Sequence, residues 1–388
     1  MNLLISSGEA SGDIYGSRLL RALSRRRPAM AFFGMGGARL GDAGLERLVP
    51  SEALSVVGIF EVFEKLPAIR RALAALEQGA RRRRPAAAVL IDFPDFHALL
   101  ARRLVRLGIP LIYYVSPQVW AWRSGRARTI AARARRIITL FPFETEIYRR
   151  HGADAVCAGH PLVDDVREGL ERAPALSPPA TTGRRRLLLL PGSRPGEIAR
   201  HWQPMVEAAV RLAARFDLEV VAVRAPGLPE ALFSSAASSG ILVADGGLHR
   251  LLSSSDLAFV ASGTATLEAA LCGTPMVVLY RTSAASAAIG RLLIRVPWIS
   301  LVNILAGEEV VPELIQKEAS ATRLEEEGAA ILESPERARR MRAALAAVAE
   351  SLGAPGATER AADAVLDAIE RSGPSETARD ALARGAAL

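Results

Sequence analysis

Cysteine is nearly absent from this chain of 388 residues, which contains only Cys157 and Cys272. The two lie far apart and outside any CxxC or Cys/His cluster, so neither a disulfide framework nor a structural zinc site is expected. Aromatic residues are also scarce, at 5% of the chain, and no aromatic-interleaved basic motif occurs. Because zinc-finger and RNP-like segments are missing too, no nucleic acid partner is expected.

The chain also shows neither a signal-peptide pattern nor an uninterrupted membrane-spanning run. Met1-Asn2 leads directly into the apolar Leu3–Ile5, without a basic segment or a small-residue cleavage site. The longest largely apolar region, Leu257–Tyr280, contains Glu268 and Pro275 and is therefore predicted to be buried core. These features predict a cytoplasmic protein.

Several catalytic motifs are missing as well. The chain has no HExxH spacing, no GxSxG elbow, no Walker lysine motif and no DxD triplet. Their absence disfavours hydrolases, NTPases and metal-dependent sugar transfer, and no metal site or cofactor is predicted. Of the five histidines, only His160 stands out, at the end of the first half of the chain.

Lysine is almost missing, since 47 of the 49 basic residues are arginine, a bias that codon usage explains. The formal net charge of +8 is unevenly distributed. Residues 1–180 contain 27 basic and 17 acidic residues, whereas the remainder contains 22 basic and 24 acidic residues. The basic first half would attract phosphorylated ligands or an anionic membrane surface.

Short apolar runs alternate with amphipathic stretches, which is typical of α/β folds with mostly parallel sheets. The predicted strands of the first half are Asn2–Ser6, Ala31–Met35, Ala88–Asp92, Leu111–Val115 and Arg136–Leu140. Those of the second half are Leu187–Leu190, Glu219–Ala222, Ile241–Val243, Leu257–Ala261 and Met276–Leu279. Each half opens with a strand, a glycine-containing turn and a helix.

The chain is long enough for two domains. We expect an N-terminal domain over residues 1–170 and, because residues 171–186 are rich in Pro, Ser, Thr and Arg, a linker there. A second α/β domain over 187–335 and a helical segment over 336–371 follow. Residues 372–388 are expected to form a frayed tail.

Two turns of the second half are predicted to bind phosphate. Gly192, Ser193 and Arg194 follow the strand Leu187–Leu190, where backbone amides, a helix start and a guanidinium favour a pyrophosphate. An ordinary strand-to-helix turn explains the pattern equally well. Ser262-Gly263-Thr264 repeats the design after another strand.

Glu268 lies in an apolar stretch, four residues beyond Thr264. An unpaired carboxylate is costly to bury, so Glu268 needs a partner. A ribose diol and an arginine side chain are the two alternatives.

In the first half, the loop Ser7–Asp13 carries Glu9, Ser11, Gly12 and Asp13 at the carboxyl end of a strand. Capping of the next helix explains Ser11 or Asp13 but does not require Glu9. Asp92 ends another strand, and Asp95 is placed to cap the helix that follows. Asp92 is therefore the carboxylate available for chemistry.

Two further segments have alternative interpretations. Ser116 and Trp120, within Tyr113–Arg123, either line an acceptor pocket or belong to a packed loop. The stretch Val56–Pro67 either docks on a membrane or is buried against the N-terminal domain. Its proposed membrane contacts are Ile59, Phe60, Val62 and Phe63.

Six motifs occur in order along the chain: Gly8–Asp13, Ile91–Phe96, Tyr114–Arg123, Leu189–Arg194, Ala261–Leu271 and Ser300–Gln316. Together they resemble the bacterial lipid-A-disaccharide synthase family, from residue 2 to about residue 370. GEASGD carries alanine where some relatives carry threonine, and Gly307–Glu309 is more acidic than is usual there. The resemblance implies a GT-B architecture, with two Rossmann-like domains facing a central cleft and the last helical segment returning to the N-terminal domain.

The resemblance also implies an inverting transfer between UDP-2,3-diacylglucosamine and 2,3-diacylglucosamine 1-phosphate (lipid X), with UDP released. Both substrates carry acyl chains, so peripheral association with the anionic inner membrane is expected, and a homodimer is one alternative for the assembly. Other GT-B enzymes are competing interpretations: a cell-wall lipid precursor transferase or a UDP-sugar epimerase. A non-catalytic nucleotide-sugar sensor is another.

Individual roles follow from the same resemblance. Asp92 matches the family's critical acid and is predicted to be the base, with Glu9 as the alternative. The predicted donor-binding residues are Gly192, Ser193, Arg194, Ser262, Gly263, Thr264, Glu268, Asn303 and Gln316. The predicted acceptor-binding residues are Ser11, Gly12, Asp13, Asp95, Ser116 and Trp120.

Overall fold

A computed structural model describes residues 1–54, 66–116, 125–171, 184–283 and 297–371. The chain forms two compact units. Met1–Pro161 forms the first together with the segment from Pro355 onward, and Leu162–Ala354 forms the second. The first unit therefore ends earlier than the expected residue 170, and the return to it begins at Pro355 instead of residue 336. Most of the expected linker and the whole expected tail lie outside the described residues.

The described part of the first unit contains a seven-stranded parallel sheet in the order β3-β2-β1-β4-β5-β6-β7. Its strands are β1 (Asn2–Ser7), β2 (Ala31–Gly36), β3 (Glu46–Pro50), β4 (Ala87–Ile91), β5 (Leu111–Tyr114), β6 (Ala134–Thr139) and β7 (Ala155–Cys157). Its helices are α1 (Ala10–Arg26), α2 (Ala38–Asp42), α3 (Leu66–Arg83), α4 (Pro94–Arg106), α5 (Gly125–Arg133) and α6 (Pro142–Arg149). Strand β4 is buried along its whole length, as expected for a parallel strand covered on both faces.

The described part of the second unit contains a six-stranded parallel sheet in the order β10-β9-β8-β11-β12-β13. Its strands are β8 (Arg185–Leu190), β9 (Leu218–Val223), β10 (Leu242–Ala244), β11 (Leu257–Ala261), β12 (Met276–Tyr280) and β13 (Glu313–Ile315). Its helices are α7 (Leu162–Glu171), α8 (Pro195–Phe216), α9 (Leu248–Ser253), α10 (Thr264–Leu271), α11 (Leu301–Ala306), α12 (Ala321–Glu333) and α13 (Pro335–Ser351). The predicted fold class, α/β with two Rossmann-like domains, is confirmed.

Helix α14 (Ala357–Glu370) belongs to the first unit although it follows the second in sequence. It is anchored by Arg136 on β6, whose side chain is only 4% exposed and pairs with Asp154 at 2.7 Å and Asp367 at 2.5 Å. Arg26 on α1 pairs with Glu359 of the same helix. Removal of Arg136 would leave Asp154 and Asp367 without their shared partner. The more exposed Arg26 pair contributes less to stability.

Each sheet has one point where the strand order reverses. Strand β1 lies between β2 and β4, and strand β8 lies between β9 and β11. At such a switch point the two following loops diverge and leave a crevice outside the carboxyl ends of the strands, where open α/β sheets bind ligands. The predicted site residues after β1, β4, β8 and β11 all follow strands at these two switch points.

Candidate functional site

Asp92, directly after β4, combines burial with an unusual backbone conformation. Asp92 and the following Phe93 have φ angles of +53° and +57°, in the left-handed region that non-glycine residues rarely adopt. The amide of Phe93 donates to Asp92 Oδ1 at 2.9 Å, and Ser11 Oγ donates to Oδ2 at 3.4 Å. Burial raises the pKa of Asp92, and these two hydrogen bonds offset the rise only in part.

Two glycines allow close packing at the end of β1. A Cβ atom on Gly8 would lie 2.1 Å from Cδ1 of the Phe93 ring, and one on Gly12 would lie 2.4 Å from Ser7 Oγ. Both distances are far shorter than van der Waals contact, so a side chain at position 8 would displace the loop after β4 and one at position 12 would displace Ser7. The predicted acceptor residue Gly12 therefore has a packing role in this structure.

Asp13 serves as an anchor for α2. Its Oδ1 accepts from the amides of Gly37 at 2.8 Å and Leu40 at 3.2 Å, and its Oδ2 accepts from the amide of Arg39 at 3.0 Å. The side chain is buried. Because both oxygens are engaged with the start of α2, we assign Asp13 a structural role instead of the predicted contact with the acceptor.

The other two carboxylates of this edge are more exposed. Asp95 is 82% exposed and forms an ion pair with Arg126 at 2.5 Å. Glu9 precedes α1 as an exposed residue, and its carbonyl oxygen accepts from the amide of Asp13 at 2.9 Å. Of the two candidate bases, Asp92 is the less exposed, and burial raises the pKa of its carboxyl group.

Strand β5 contributes the rest of this edge. The carbonyl oxygen of Val115, a residue with a φ angle of +55°, accepts from the amide of Asp92 at 3.3 Å. Ser116 is buried, so its hydroxyl lies inside the fold, where no hydrogen-bond partner is found for it among the described residues. Trp120 lies outside the described residues.

The sequence reasoning missed a buried pair beneath Asp92. Ser6 Oγ on β1 lies 2.9 Å from His97 Nε2 on α4, and the His97 ring packs edge-on to Phe93. Burial lowers the pKa of His97 to about 4, so the imidazole is neutral at physiological pH. The sequence did contain a signal for this buried histidine, because His97 lies on the same buried helix face as Phe96 and Leu100.

In the second unit, the loop after β8 binds a carboxylate of the protein itself, that of Glu197. Glu197 Oε2 accepts from the amides of Ser193 at 2.8 Å and Arg194 at 3.2 Å. Gly192 has a φ angle of +124°, and a Cβ atom there would lie 2.5 Å from the same Oε2. The two amides predicted to hold a phosphate therefore hold the carboxylate of Glu197, while the Arg194 guanidinium remains 75% exposed.

A buried histidine ties this loop to the end of β12. Since a carbonyl only accepts and an amide only donates, His201 donates from Nδ1 to the Pro191 carbonyl at 2.9 Å and accepts at Nε2 from the Arg281 amide at 3.0 Å. Burial lowers the pKa of His201, which favours this neutral tautomer. His201 thus fixes two strand ends on either side of β11.

The turn after β11 leads into α10. Gly263 has a φ angle of +152°, which glycine tolerates, and Thr264 begins the helix as an exposed residue. Ser262 Oγ donates to the carbonyl of Ile299 at 3.0 Å. The Ser262 hydroxyl therefore fixes the turn, and the exposed helix start is the part that faces solvent.

Glu268, one turn into α10, pairs with a histidine where an arginine was the expected side-chain alternative, and the ribose contact stays a prediction. Glu268 Oε1 lies 3.0 Å from Nε2 of His249 on α9, and the two side chains are 17% and 16% exposed. Burial and the charge of Glu268 together raise the pKa of the nearby Cys272 thiol to about 12. The predicted arginine partner is thus replaced by a histidine from a neighbouring helix.

The side-chain amide of Asn303 makes four hydrogen bonds inside the fold. Its Oδ1 accepts from the amides of Val310 and Val311 at 2.8 and 3.0 Å, and its Nδ2 donates to the Val311 carbonyl and to Glu313 Oε1 at 2.9 and 2.8 Å. Ser300 also donates its hydroxyl to Glu313 at 2.7 Å. Because every bonding position of its amide is occupied, Asn303 stabilises the loop before β13 instead of contacting the donor.

Gln316 directly follows β13 and has a φ angle of +54°. Its Oε1 accepts from the Thr282 amide at 3.4 Å, which links the ends of β12 and β13. Strained non-glycine backbone at a strand end is a feature that Gln316 shares with Asp92.

A surface groove lies between α3 and α4 of the first unit and encloses about 280 Å³. Its apolar lining consists of Leu66, Ile69, Leu73 and Leu99, and its basic lining consists of Arg70, Arg102, Arg103 and Arg106. Leu66 and Leu99 are 42% and 44% exposed. The predicted membrane contacts Ile59, Phe60, Val62 and Phe63 lie outside the described residues. Among the described helices, none is both long and apolar enough to cross a bilayer.

Two parallel sheets with polar residues at both switch points define a protein with two Rossmann-like α/β domains. The sequence profile of the lipid-A-disaccharide synthetase family matches residues 3–367, and the chain belongs to this family. The lipid-A-disaccharide synthase of Myxococcus xanthus is 45% identical over 334 residues, covering 84% of this chain and 86% of that protein. The synthase of Anaeromyxobacter dehalogenans 2CP-C is 44% identical over 337 residues, covering 85% and 88%. The predicted family and hexosyltransferase activity are confirmed.

Solved structures with the same fold are more distant in sequence. The calicheamicin glycosyltransferase CalG4 has a TM-score of 0.62 at 16% identity, covering 96% of this chain and 99% of that chain. A UDP-GlcNAc 2-epimerase from Neisseria meningitidis bound to UDP-GlcNAc has a TM-score of 0.63 at 12% identity, covering 95% and 100%. At these identities the likeness establishes the fold alone.

Proposed function

We propose that the enzyme joins UDP-2,3-diacylglucosamine to lipid X through a β(1→6) bond and releases UDP, in lipid A biosynthesis. Family membership supports the substrates. The observation that carries the chemistry is the partly buried carboxylate of Asp92, on left-handed backbone at the switch point of the first sheet. An α-linked donor that gives a β-linked product requires a single inverting displacement, and hence a base for the attacking hydroxyl.

Asp92 fits the role of that base. A carboxylate whose pKa is raised above its ordinary value accepts a proton from the attacking hydroxyl more readily. Its left-handed backbone and the amide of Phe93 fix the direction of the carboxylate. Glu9 stays the alternative base, although it is exposed.

The donor is proposed to bind at the switch point of the second sheet. The start of α10 at Thr264 supplies amides and partial positive charge for the diphosphate, and the exposed Arg194 guanidinium supplies a full charge. Glu268 accepts from the ribose hydroxyls. Gln316 is proposed to contact the donor from the neighbouring strand end.

Arginine and helix dipoles supply the positive charge in this proposal, so we propose that no metal is obligatory. Among the described residues, no group of three or more His, Cys, Asp or Glu side chains is arranged to hold a metal ion. Excess EDTA is expected to leave the turnover rate of the wild-type enzyme unchanged. Loss of activity in EDTA, restored by a divalent cation, would contradict this part of the proposal.

The overall proposal is tested by incubating the purified enzyme with both acylated substrates and following disaccharide and UDP. One UDP is expected per disaccharide, with a β anomeric configuration in the product by NMR. An epimerase would instead interconvert the UDP-sugar without lipid X, and a sensor would bind UDP-sugar without turnover. Either result from folded enzyme would overturn the proposed reaction.

Membrane attachment at the cytoplasmic face of the inner membrane is proposed to use the groove between α3 and α4. Its exposed leucines would contact acyl chains, and its arginines would contact anionic headgroups. The test is co-sedimentation with phosphatidylcholine vesicles with or without phosphatidylglycerol. Arg102→Glu with Arg106→Glu is expected to weaken binding to the anionic vesicles by about tenfold or more.

The matched control for vesicle binding changes the same charge elsewhere. Arg339→Glu with Arg340→Glu reverses two exposed arginines of α13 in the second unit. This variant is expected to retain most of the vesicle binding. Equal losses in both double variants would show that total charge, and not the groove, controls attachment.

A further inference from the structure

The carboxylate proposed to bind ribose is held by a neighbouring histidine. Glu268 Oε1 on α10 lies 3.0 Å from His249 Nε2 on α9. Since a carboxylate accepts hydrogen bonds, His249 Nε2 carries the proton. One bond to Oε1 leaves the second oxygen, Oε2, available to the hydroxyls of a ribose.

The other side of the His249 ring is packed against helix α7. A Cβ atom on Gly169 would lie 2.0 Å from His249 Nδ1 and 2.9 Å from its Cγ, so the helix backbone lies directly against the imidazole. Glycine inside a helix costs about 0.5–1 kcal/mol relative to alanine. The close approach to His249 accounts for a glycine at this helical position.

The backbone of His249 is fixed too, because its carbonyl oxygen accepts from Cys272 Sγ at 3.4 Å. The imidazole is thus held between Gly169 on one side and Glu268 on the other. Few rotamers satisfy both contacts. A side chain locked in this way controls the orientation of the group to which it donates.

Glu268 is placed to transmit that orientation to a ligand. It lies four residues after Thr264, so the two side chains share one face of α10. Helical side chains tilt towards the N-terminus, which directs the carboxylate back to the proposed diphosphate site. Ribose lies next to the diphosphate in a UDP-sugar, within reach of such a carboxylate.

We infer that His249, locked in place by Gly169, is a positioning residue that aims the Glu268 carboxylate at the ribose hydroxyls of the donor. The inference rests on the proposed function of Glu268 and extends it to two residues that do not touch the ligand. It predicts that helix α7 influences donor recognition through a single glycine.

The test uses calorimetric titration with UDP and with 2′-deoxy-UDP, whose affinity ratio reports the ribose contact. Glutamine places an amide near the position of His249 Nε2, whereas asparagine does not reach it. His249→Asn is therefore expected to lower the UDP to deoxy-UDP ratio by about tenfold, the worth of a hydrogen bond to a charged group. His249→Gln is expected to retain most of the ratio.

Gly169→Ala tests the role of His249 independently, because the new methyl group displaces the His249 ring without touching the ligand. It is expected to lower the ratio as His249→Asn does. If Gly169→Ala fails to fold, the Asn and Gln variants decide the question alone. Equal ratios in wild type, His249→Asn and His249→Gln, or equal weakening of both nucleotides in His249→Asn, would overturn the inference.

Glu268→Gln separates this inference from the proposed function. Suppose that the UDP to 2′-deoxy-UDP affinity ratio falls in Glu268→Gln but is unchanged in His249→Asn. The ribose contact of Glu268 would then be supported, and the role of His249 would be overturned. A wild-type enzyme that does not discriminate between UDP and 2′-deoxy-UDP would instead overturn the proposed ribose site, and the inference with it.

Discussion

The carboxyl edges of the two sheets share one layout and differ in their polar groups. At the first, a partly buried carboxylate, Asp92, sits on left-handed backbone and its pKa is raised. At the second, the amides of Ser193 and Arg194 hold the Glu197 carboxylate, and an exposed helix start and guanidinium lie nearby. One edge is thus suited to accepting a proton and the other to holding an anion.

This contrast shows how one fold provides two kinds of chemistry. Both edges are placed by the same reversal of strand order, so the sheet decides where a ligand binds. The few residues after each strand decide what is done there. Each prediction below alters a residue at one of the two edges and states what should change there.

The largest expected effect comes from Asp92→Asn, which preserves shape and removes the base. The turnover number is expected to fall by about 10²–10⁴, the usual contribution of a general base, with donor affinity unchanged. Steady-state kinetics and UDP titration measure the two quantities. Asp95→Asn, in the same loop but exposed and paired with Arg126, is the matched control and is expected to keep near wild-type turnover.

The next largest effect falls on stability at the second edge. Asn303→Ala removes four hydrogen bonds from buried groups and is expected to lower the free energy of unfolding by about 3 kcal/mol. Gln316→Ala, directly after β13, is expected to change the free energy of unfolding by less than about 1 kcal/mol. Urea denaturation compares the two. A small effect of Asn303→Ala, with a clear loss of UDP affinity, would restore Asn303 as a donor contact.

A smaller effect follows from the raised pKa of Asp92. Its ionisation in the folded state is disfavoured, so wild-type stability decreases as pH rises through that pKa. Asp92→Asn lacks this penalty, and asparagine tolerates left-handed backbone. The variant is expected to be more stable than wild type at neutral pH, where the wild-type carboxylate carries its desolvated charge. Thermal unfolding across acidic to neutral pH would show the difference growing with pH. A constant or shrinking difference would contradict the assigned shift.

The smallest expected effect concerns the anion at the second edge. Glu197→Gln removes the negative charge beside Ser193 and Arg194 but keeps an acceptor for their amides. UDP affinity is expected to rise by about threefold at low salt, and less at high salt because the site is exposed. Titrations at two ionic strengths measure this. Weaker UDP binding would show that Glu197 supports the donor site by organising the loop.

The sequence predicted the buried parts of the fold well, because apolar runs mark central parallel strands. Strands β3, β7 and β13 were missed. All three lie at or near sheet edges and are short, and β3 is largely exposed, so no continuous apolar run identifies them. The return of the last helix was expected, but its start at Pro355 depends on contacts that composition does not encode.

The position of a candidate residue was predictable where it depends only on a strand end. Asp92 follows β4 directly and lies at the switch point of the first sheet, while its role as the base stays a prediction. Asn303 was different, because its side-chain partners are residues seven to ten positions further along the chain. The partner of Glu268 was predicted from charge as an arginine, yet His249 occupies the place through the packing of α9 on α10. Tertiary partners of this kind have no local signature.

The most direct test of the division between the edges compares Asp92→Asn and Glu268→Gln in one experiment. UDP affinity is measured by titration, and disaccharide formation is measured in a single turnover with saturating donor. We predict that Asp92→Asn loses the chemical step and keeps UDP affinity, whereas Glu268→Gln loses UDP affinity and keeps most of the saturated rate. An Asp92→Asn enzyme that turns over normally, or that fails to bind UDP, would contradict the account.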